Sequence, residues 1–314
     1  MKSKYNNMFG RLIGNRKLTD IDTMDIQKAI NALIAEGRAT SSIRDASGRV
    51  RDCFEHAKHL HYITENPCFA IKIPRQKVNA DRRFLTQEEQ NTFLTEVENN
   101  WYKEMFYIMF LTDMRIGEVG GLRWDDVDFK NKCINITQSL SCQYEKGDKR
   151  LRITDPKTEN SKRKIPFIGE AEEMFLSQKR KYDRLKKQLG KRWRGEGAFD
   201  KLVFCTSMGS PVLRYHAEKE IKNIVKSINL NENFNSIKEG REPLEFKIMY
   251  PHAIRHTFCS RCFEKGMKPK VVQTLMGHAS ISITLDIYTH LYEETIDDET
   301  SKLGMALALK DNRG

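Results

Sequence analysis

The reading of this chain turns on Leu275-Met-Gly-His-Ala-Ser-Ile-Ser-Ile-Thr-Leu-Asp-Ile-Tyr-Thr-His290. Gly277 reads as a helix stop, because glycine enters the left-handed conformation of a C-cap without strain. Ser280 reads as the N-cap of the next helix, on which Ile281, Leu285 and Tyr288 recur at helical spacing. Most tyrosines at such spacing are core residues with a polar tip. A tyrosine held on a packed helix shortly after a histidine, His278, is also placed for chemistry. The upstream sequence decides between the two readings.

The chain has 314 residues, enough for two domains that each bury a core. Its 54 Lys and Arg against 43 Asp and Glu give a net charge of +11, with a pI near 9.2. That excess favours a polyanionic partner, nucleic acid above all, over a merely basic surface. Seven cysteines without framework spacing suggest a reducing compartment. Cys259-x-x-Cys262 lacks a partner pair and reads as two buried thiols, not a zinc site. There is no long apolar run and no signal-peptide pattern, so a soluble, cytoplasmic protein with no membrane partner is expected.

Residues 1–71 read as a small helical domain. Lys4 to Ile13 allows a short helix, and Thr23 to Gly37 a fuller one. A longer helix, about Ser41 to Tyr62, carries Ile43, Val50, Phe54 and Ala57 on one side and Arg44, Arg49, Arg51 and Lys58 on the other. Asn66-Pro67 ends it. Residues 72–83 read as a basic linker containing Lys72, Arg75 and Lys77, suited to crossing a phosphate backbone. Residues 84–314 then form a second domain. Thr86-Gln-Glu-Glu89 has capping-box spacing, and a helix covers about Tyr102 to Thr112. Lys132–Gln138, Leu151–Thr154 and Arg163–Phe167 read as strands of one small antiparallel sheet, with a turn at Pro156–Ser161. Residues 170–194 read as a helix ending in a basic patch, and 230–248 as a loop. The fold class is mainly α with a small antiparallel sheet.

Five short stretches carry candidate chemistry. In Thr112-Asp-Met-Arg-Ile-Gly-Glu-Val-Gly-Gly-Leu-Arg-Trp124, Ile116, Val119 and Leu122 face a core, and Arg115 and Glu118 are neighbours on one helical face. Lys157 begins the turn between strands. Pro251 suits the first position of a helix on which His252 and Arg255, one turn apart on one face, lie near the positive end of the dipole, a natural site for a phosphate. Pairing His252 with His256 as metal ligands lacks the glutamate and third ligand of a metal-hydrolase helix. His278 and Tyr288 complete the series.

In that order these residues resemble the tyrosine recombinases, the phage-integrase family, over residues 84–292, and the resemblance extends to the helical domain before them. The flavour is that of integrases of temperate phages and conjugative transposons. The resemblance implies a helical core-binding domain beside a mixed α+β catalytic domain, with no metal or other cofactor. It implies site-specific strand exchange in DNA through a 3′-phosphotyrosyl intermediate. Tyr288 is then the nucleophile, and Arg115, Arg255 and His278 face the scissile phosphate. His252 is the base, Lys157 the acid toward the leaving oxygen, and Glu118 the support. Arg44, Arg49, Arg51, Lys58, Lys72, Arg75 and Lys77 become DNA-contact candidates. The implied partners are double-stranded DNA with specific core sites, and further copies of the chain forming a tetramer and a Holliday junction. The apolar tail Ser301–Lys310 would dock on a neighbour, and an accessory DNA-bending or directionality factor is possible. A bacterial, nucleoid-associated location is expected. Larger relatives carry an N-terminal arm-binding domain; nothing before Lys4 matches one. A type IB topoisomerase shares much of this site but acts as a monomer on unmarked duplex. A regulator that only binds DNA would not require Lys157 or Tyr288.

Overall fold

The computed structural model describes residues 6–74, 83–145, 148–155, 162–278, 280–282 and 284–285. The chain divides into two compact units, Met1–Asp81 and Arg82–Gly314.

In the first unit a helical turn at Asn6–Gly10 continues into Arg11–Ile13. Helix α1, Thr23–Ala35, starts at a reciprocal cap: Asp25 donates its backbone N–H to Asp22 Oδ1 (2.8 Å), and Asp22 donates to Asp25 Oδ2 (3.1 Å). Helix α2 is Thr40–His59. Phe9, Ile26, Ile30, Leu33, Ile43, Val50 and Phe54 close the core between these elements. Asn66 fastens the exit, donating to Arg51 O (3.1 Å) and Glu55 Oε2 (2.7 Å) while accepting from Cys68 N (3.0 Å). Arg44, Arg49, Arg51, Lys58 and Lys72 are all exposed, and Arg75 and Lys77 lie outside the described residues. At about 100° per residue, Arg44, Arg51 and Lys58 form one stripe of α2, whereas Arg49 stands on the opposite flank of the exposed surface. The single basic side expected from sequence is therefore two flanks.

The second unit is built around helix α4, Lys103–Thr112, on which Met105, Phe106, Ile108, Met109 and Phe110 are all buried. Helix α3, Gln87–Val97, begins at the expected Thr86–Glu89 capping box and sends Phe93 edge-on against Phe106 and Phe110. Helix α5 is Ile116–Gly121. Strands β1 (Val127–Asp128), β2 (Cys133–Ile136), β3 (Ser139–Glu145), β4 (Asp148–Thr154) and β5 (Arg163–Pro166) follow. They are not one sheet. β1, β2 and β5 form an antiparallel sheet, and β3 and β4 a separate hairpin. The strand expected at Leu151–Thr154 thus pairs with β3, which the sequence reading missed, and not with β5. The expected turn at 156–161 lies outside the described residues.

Helices α6 (Gly169–Leu189), α7 (Arg214–Glu239), α8 (Pro251–Glu264) and α9 (Pro269–Met276) complete the unit. α7 overturns the loop expected from residue 230. It continues to Glu239 and stops at Gly240, whose φ is +65°. Its polar second half keeps Ser236 buried, and Glu232 accepts from Arg241 Nη2 (3.2 Å) and the Leu244 backbone (3.0 Å), fastening the following segment. A helix stabilised by such tertiary ties does not announce itself as an apolar stripe. α4 and α8 pack together, and α6 lies along α4.

Helix α5 must sit close to β3. A Cβ on Gly120 would come 2.6 Å from Val212 O, and one on Gly121 2.9 Å from the Leu140 backbone nitrogen. Backbone does not yield as a side chain would, so this contact fixes the position of the residues immediately before α5. Gly120→Ala is expected to cost about 1–3 kcal/mol by overpacking. Gly48→Ala, in α2 with nothing within 4 Å of the added carbon, is expected to gain up to about 1 kcal/mol. Denaturant unfolding of the two variants checks the contrast.

Candidate active site

Helix α9 ends at Gly277, whose φ of +59° makes it the expected left-handed stop. The last carbonyls of a helix have no partner within it and carry its negative pole. Three arginines from three separate elements converge on them. Arg163 Nε donates to Leu275 O (2.9 Å), Arg255 Nη2 to Met276 O (2.6 Å), and Arg115 Nη2 to Gly277 O (3.4 Å). Arg115 precedes α5, Arg163 opens β5 and Arg255 lies in the second turn of α8. His278 follows directly on this turn.

Two buried carboxylates hold the cluster. Glu118, only 3% exposed, accepts from the Arg115 backbone (2.9 Å) and Arg115 Nη1 (2.8 Å). It also accepts the fork of Arg163, both nitrogens at 3.0 Å. Burial pushes the Glu118 pKa up, but the hydrogen bonds and charge of Arg163, then Arg115, outweigh it and hold the group below its usual range. Asp113 caps α4 in the left-handed conformation (φ +55°) and is fully buried. Its backbone carbonyl accepts from Arg255 Nη1 (2.9 Å), and its Oδ2 lies 3.1 Å from the same nitrogen. Desolvation dominates there, pushing the Asp113 pKa up to about 7 against the pull of Arg255 and Arg163. Burial likewise lowers the Arg255 pKa, with Asp113 opposing.

The two histidines are both held in the neutral form at neutral pH. His252, in the first turn of α8 with part of its surface open, has its pKa lowered by partial desolvation and then by Arg214, Arg255 and Arg115. His278 is driven down to about 3 by desolvation, then Arg255 and Arg115; its Nδ1 lies 2.9 Å from the hydroxyl of the buried Thr284. Ser280 Oγ accepts from Ser282 N (3.2 Å), so the cap expected there is formed. Cys259 and Cys262 are buried free thiols with pKa values pushed up to about 12 by desolvation.

Of the candidate residues read from the sequence, Arg115, Glu118, Arg255 and His278 come together, with His252 on the same helix as Arg255. Lys157 and Tyr288 lie outside the described residues. Two members of the cluster were missed. Arg163 had been placed only in a strand, although an arginine on a four-residue strand whose side chain is 6% exposed is uncommon enough to draw attention once burial is known. Asp113 sits beside Thr112 in the stretch that carries Arg115 and Glu118, and the sequence reading assigns it no role.

Asp113 makes a sign-definite prediction. Its folded pKa, about 7, exceeds the ordinary value of about 3.9, so the folded protein binds the extra proton between those limits. This contribution therefore weakens as pH rises through that window. Asp113→Asn removes it, and Asn tolerates the same backbone. Relative to the parent, the variant should gain stability from pH 5 to pH 8, by on the order of 1 kcal/mol per unit. Urea midpoints at the two pH values measure it; a constant offset contradicts the assignment.

The sequence pattern of the phage integrase family matches residues 83–295. The chain is 27% identical over 285 residues to a XerC-like tyrosine recombinase of Caldanaerobacter subterraneus, covering 88% of this chain and 68% of that one. It is 28% identical over 298 residues to the transposase of transposon Tn916 from Enterococcus faecalis, covering 93% and 68%. In fold it is similar to the Tn1549 transposon integrase in complex with transposon right end DNA, with a TM-score of 0.70, 24% identity and coverage of 96% and 93%. It is also similar to the XerH recombinase bound to a palindromic difH substrate, with a TM-score of 0.61, 18% identity and coverage of 95% and 76%. The family pattern spans the arginine cluster and both histidines, so this chain belongs to the phage integrase family of tyrosine recombinases.

Proposed function

We propose that this protein cleaves and rejoins specific DNA sites, with Tyr288 as nucleophile and the arginine cluster as phosphate site. The observation that carries the proposal is the convergence of Arg115 and Arg255 on the terminal turn of α9, with neutral His278 next to it. A phosphodiester approaching pentacoordination gathers negative charge on its non-bridging oxygens. Fixed guanidinium groups stabilise that charge without reorganising. Arg255 spends two of its five N–H donors on carbonyls, leaving donors to offer.

The Tyr288 oxygen attacks phosphorus, and His252 accepts the phenolic proton. His252 starts unprotonated because of its lowered pKa. A bound phosphate offsets the charge of Arg115 and Arg255 and so raises the basicity of His252 when it is needed. A neutral His278 whose Nδ1 accepts from Thr284 carries its proton on Nε2, free for a phosphate oxygen. The phosphorus–oxygen bond to the 5′ side breaks, and Lys157 protonates the departing oxygen. The 3′-phosphotyrosyl product conserves the bond energy, so a 5′-hydroxyl from another strand reverses the step without ATP. Glu118 and Arg163 position Arg115.

Arg44, Arg51 and Lys58, with Arg49, Lys72, Arg75 and Lys77, are assigned to phosphate contacts outside the reacting centre. A tetramer bridging two sites, joined through the tail at Ser301–Lys310, and an accessory directionality factor complete the proposal for a bacterial mobile element.

Tyr288→Phe is expected to bind element-end DNA as the parent does but to form no SDS-resistant adduct on a nicked suicide duplex; a persisting adduct places the nucleophile elsewhere. Arg163→Lys keeps the charge but loses the fork on Glu118 and the Leu275 bond. It should lower adduct formation at least about tenfold, equivalent to roughly 1.4 kcal/mol, while DNA affinity changes little. Gel analysis of the same duplex reads both.

A further inference from the structure

A dense run of cations begins at Lys179 in helix α6, and the structure sorts those within the helix into two groups. Lys179 is bound to Asp183 (2.6 Å) and lies over the rings of Trp124 and Tyr182 (5.5 and 5.6 Å). Lys181 is bound to Glu104 (3.1 Å) and lies over Trp101 (4.3 Å). Lys186 pairs with Asp200 (3.4 Å) and lies beside Tyr182 and Trp193. These three are structural: their stems and charges cover the aromatic rings that pack under α6.

Arg180, Arg184 and Lys187 differ. All three are exposed, and among the described residues none has an ion-pair partner. Their spacing of four and then three residues places them within about 60° of one another on the helix, rising about 10 Å along it. Lys191 and Arg192, both exposed, follow in the turn Gly190–Arg192 directly after α6. The acidic residues of α6 lie mostly at its start: Glu170, Glu172 and Glu173 fall within its first five residues, Glu173 two turns before Arg180 on the same face, and Asp183 is occupied by Lys179. Like charges so aligned repel one another unless a polyanion lies across them.

The stripe also has a direction. The buried side of α6, Ala171, Phe175, Gln178 and Tyr182, is half a helical turn away from it. That buried side packs on α4. The helix that carries His252 and Arg255, α8, packs on α4 as well, and α6 and α8 do not pack comparably on one another. Ser177 and Lys181 meet Glu104 at the start of α4, whereas Asp113 and the arginine cluster lie past its end. The stripe therefore faces away from the candidate active site, at the far end of α4.

We propose that Arg180, Arg184 and Lys187 form a second DNA-binding surface, which takes the phosphate backbone of a duplex segment other than the one held at the arginine cluster. Arginine forks suit phosphate oxygens, and cations spaced about 5–6 Å apart along a helix reach successive phosphates of a groove edge. An anionic membrane fits less well, because interfacial helices bury their apolar side in lipid and that of α6 is committed to the protein core. Binding here is independent of sequence and lets one molecule engage flanking DNA while its active site holds the core site.

The proposal stands whether or not Tyr288 is the nucleophile, since its test needs no cleavage. The full chain carrying Arg180→Gln, Arg184→Gln and Lys187→Gln is titrated against a scrambled-sequence duplex over a range of salt concentrations by fluorescence anisotropy. The slope of log K on log salt should shrink by about 2–3, near 0.9 for each phosphate that is no longer neutralised. Thermal unfolding should match the parent, because the three side chains are exposed and do not pack into the core. Adduct formation on a short nicked duplex confined to the core site should also stay at the parent level. An unchanged salt slope overturns the proposal and leaves the stripe as a solvated face. A matching loss of adduct on the short duplex overturns it too, because the stripe then belongs to the substrate interface.

Discussion

The end of one short helix organises this protein. α9 stops at Gly277 with three carbonyls turned outward, and a guanidinium group from a different part of the chain holds each one. Without the arginines the helix would end in unpaired acceptors at its negative pole; without the helix three like charges would have nothing to gather around. Glu118, and Asp113 to the extent that it is ionised, reduce the repulsion among the cations but do not cancel it, which leaves the cluster with at least one positive charge in excess. In the proposed reaction that surplus faces the phosphate. Cations already fixed in place by part of their hydrogen bonds, with donors still open, reorganise little on accepting an anion, and that is the condition for a preorganised site.

The division of labour follows from exposure. Arg163 is nearly buried and its fork is fully engaged with Glu118, so it shapes the site from behind. Arg115 has about a third of its side chain open and uses the same carboxylate as an anchor. Arg255 is held through carbonyls, which fix its plane. The close approach of α5 to β3, permitted by Gly120 and Gly121, sets where Arg115 and Glu118 begin. Packing, capping and charge thus describe one arrangement.

The candidate groups are legible in sequence because each sits in a local signal: a glycine stop before His278, a proline at the start of the helix bearing His252 and Arg255, and an arginine and glutamate three apart. These signals are short-range, and so are the capping boxes and the apolar rows that located most helices. What escaped notice depends on distant partners. Arg163 lies 45 residues from the carboxylate it grips and 112 from the carbonyl it holds. The separate β3–β4 hairpin depends on pairing choices that alternation alone does not make. The second half of α7 is polar, and its order comes from tertiary bonds. The six cations of α6 look alike in sequence; only their neighbours divide them into ring-covering lysines and an open stripe.

The central claim is that Arg115 and Arg255 act by stabilising charge on one phosphate. Replacing the scissile phosphate of a nicked core-site duplex with a neutral methylphosphonate tests it most directly, comparing adduct rates for the parent and for Arg255→Ala. Removing the arginine should slow reaction at the charged phosphate by orders of magnitude, and at the neutral linkage by far less. An equal loss on both substrates would mean that Arg255 supports the fold and not the charge of the transition state.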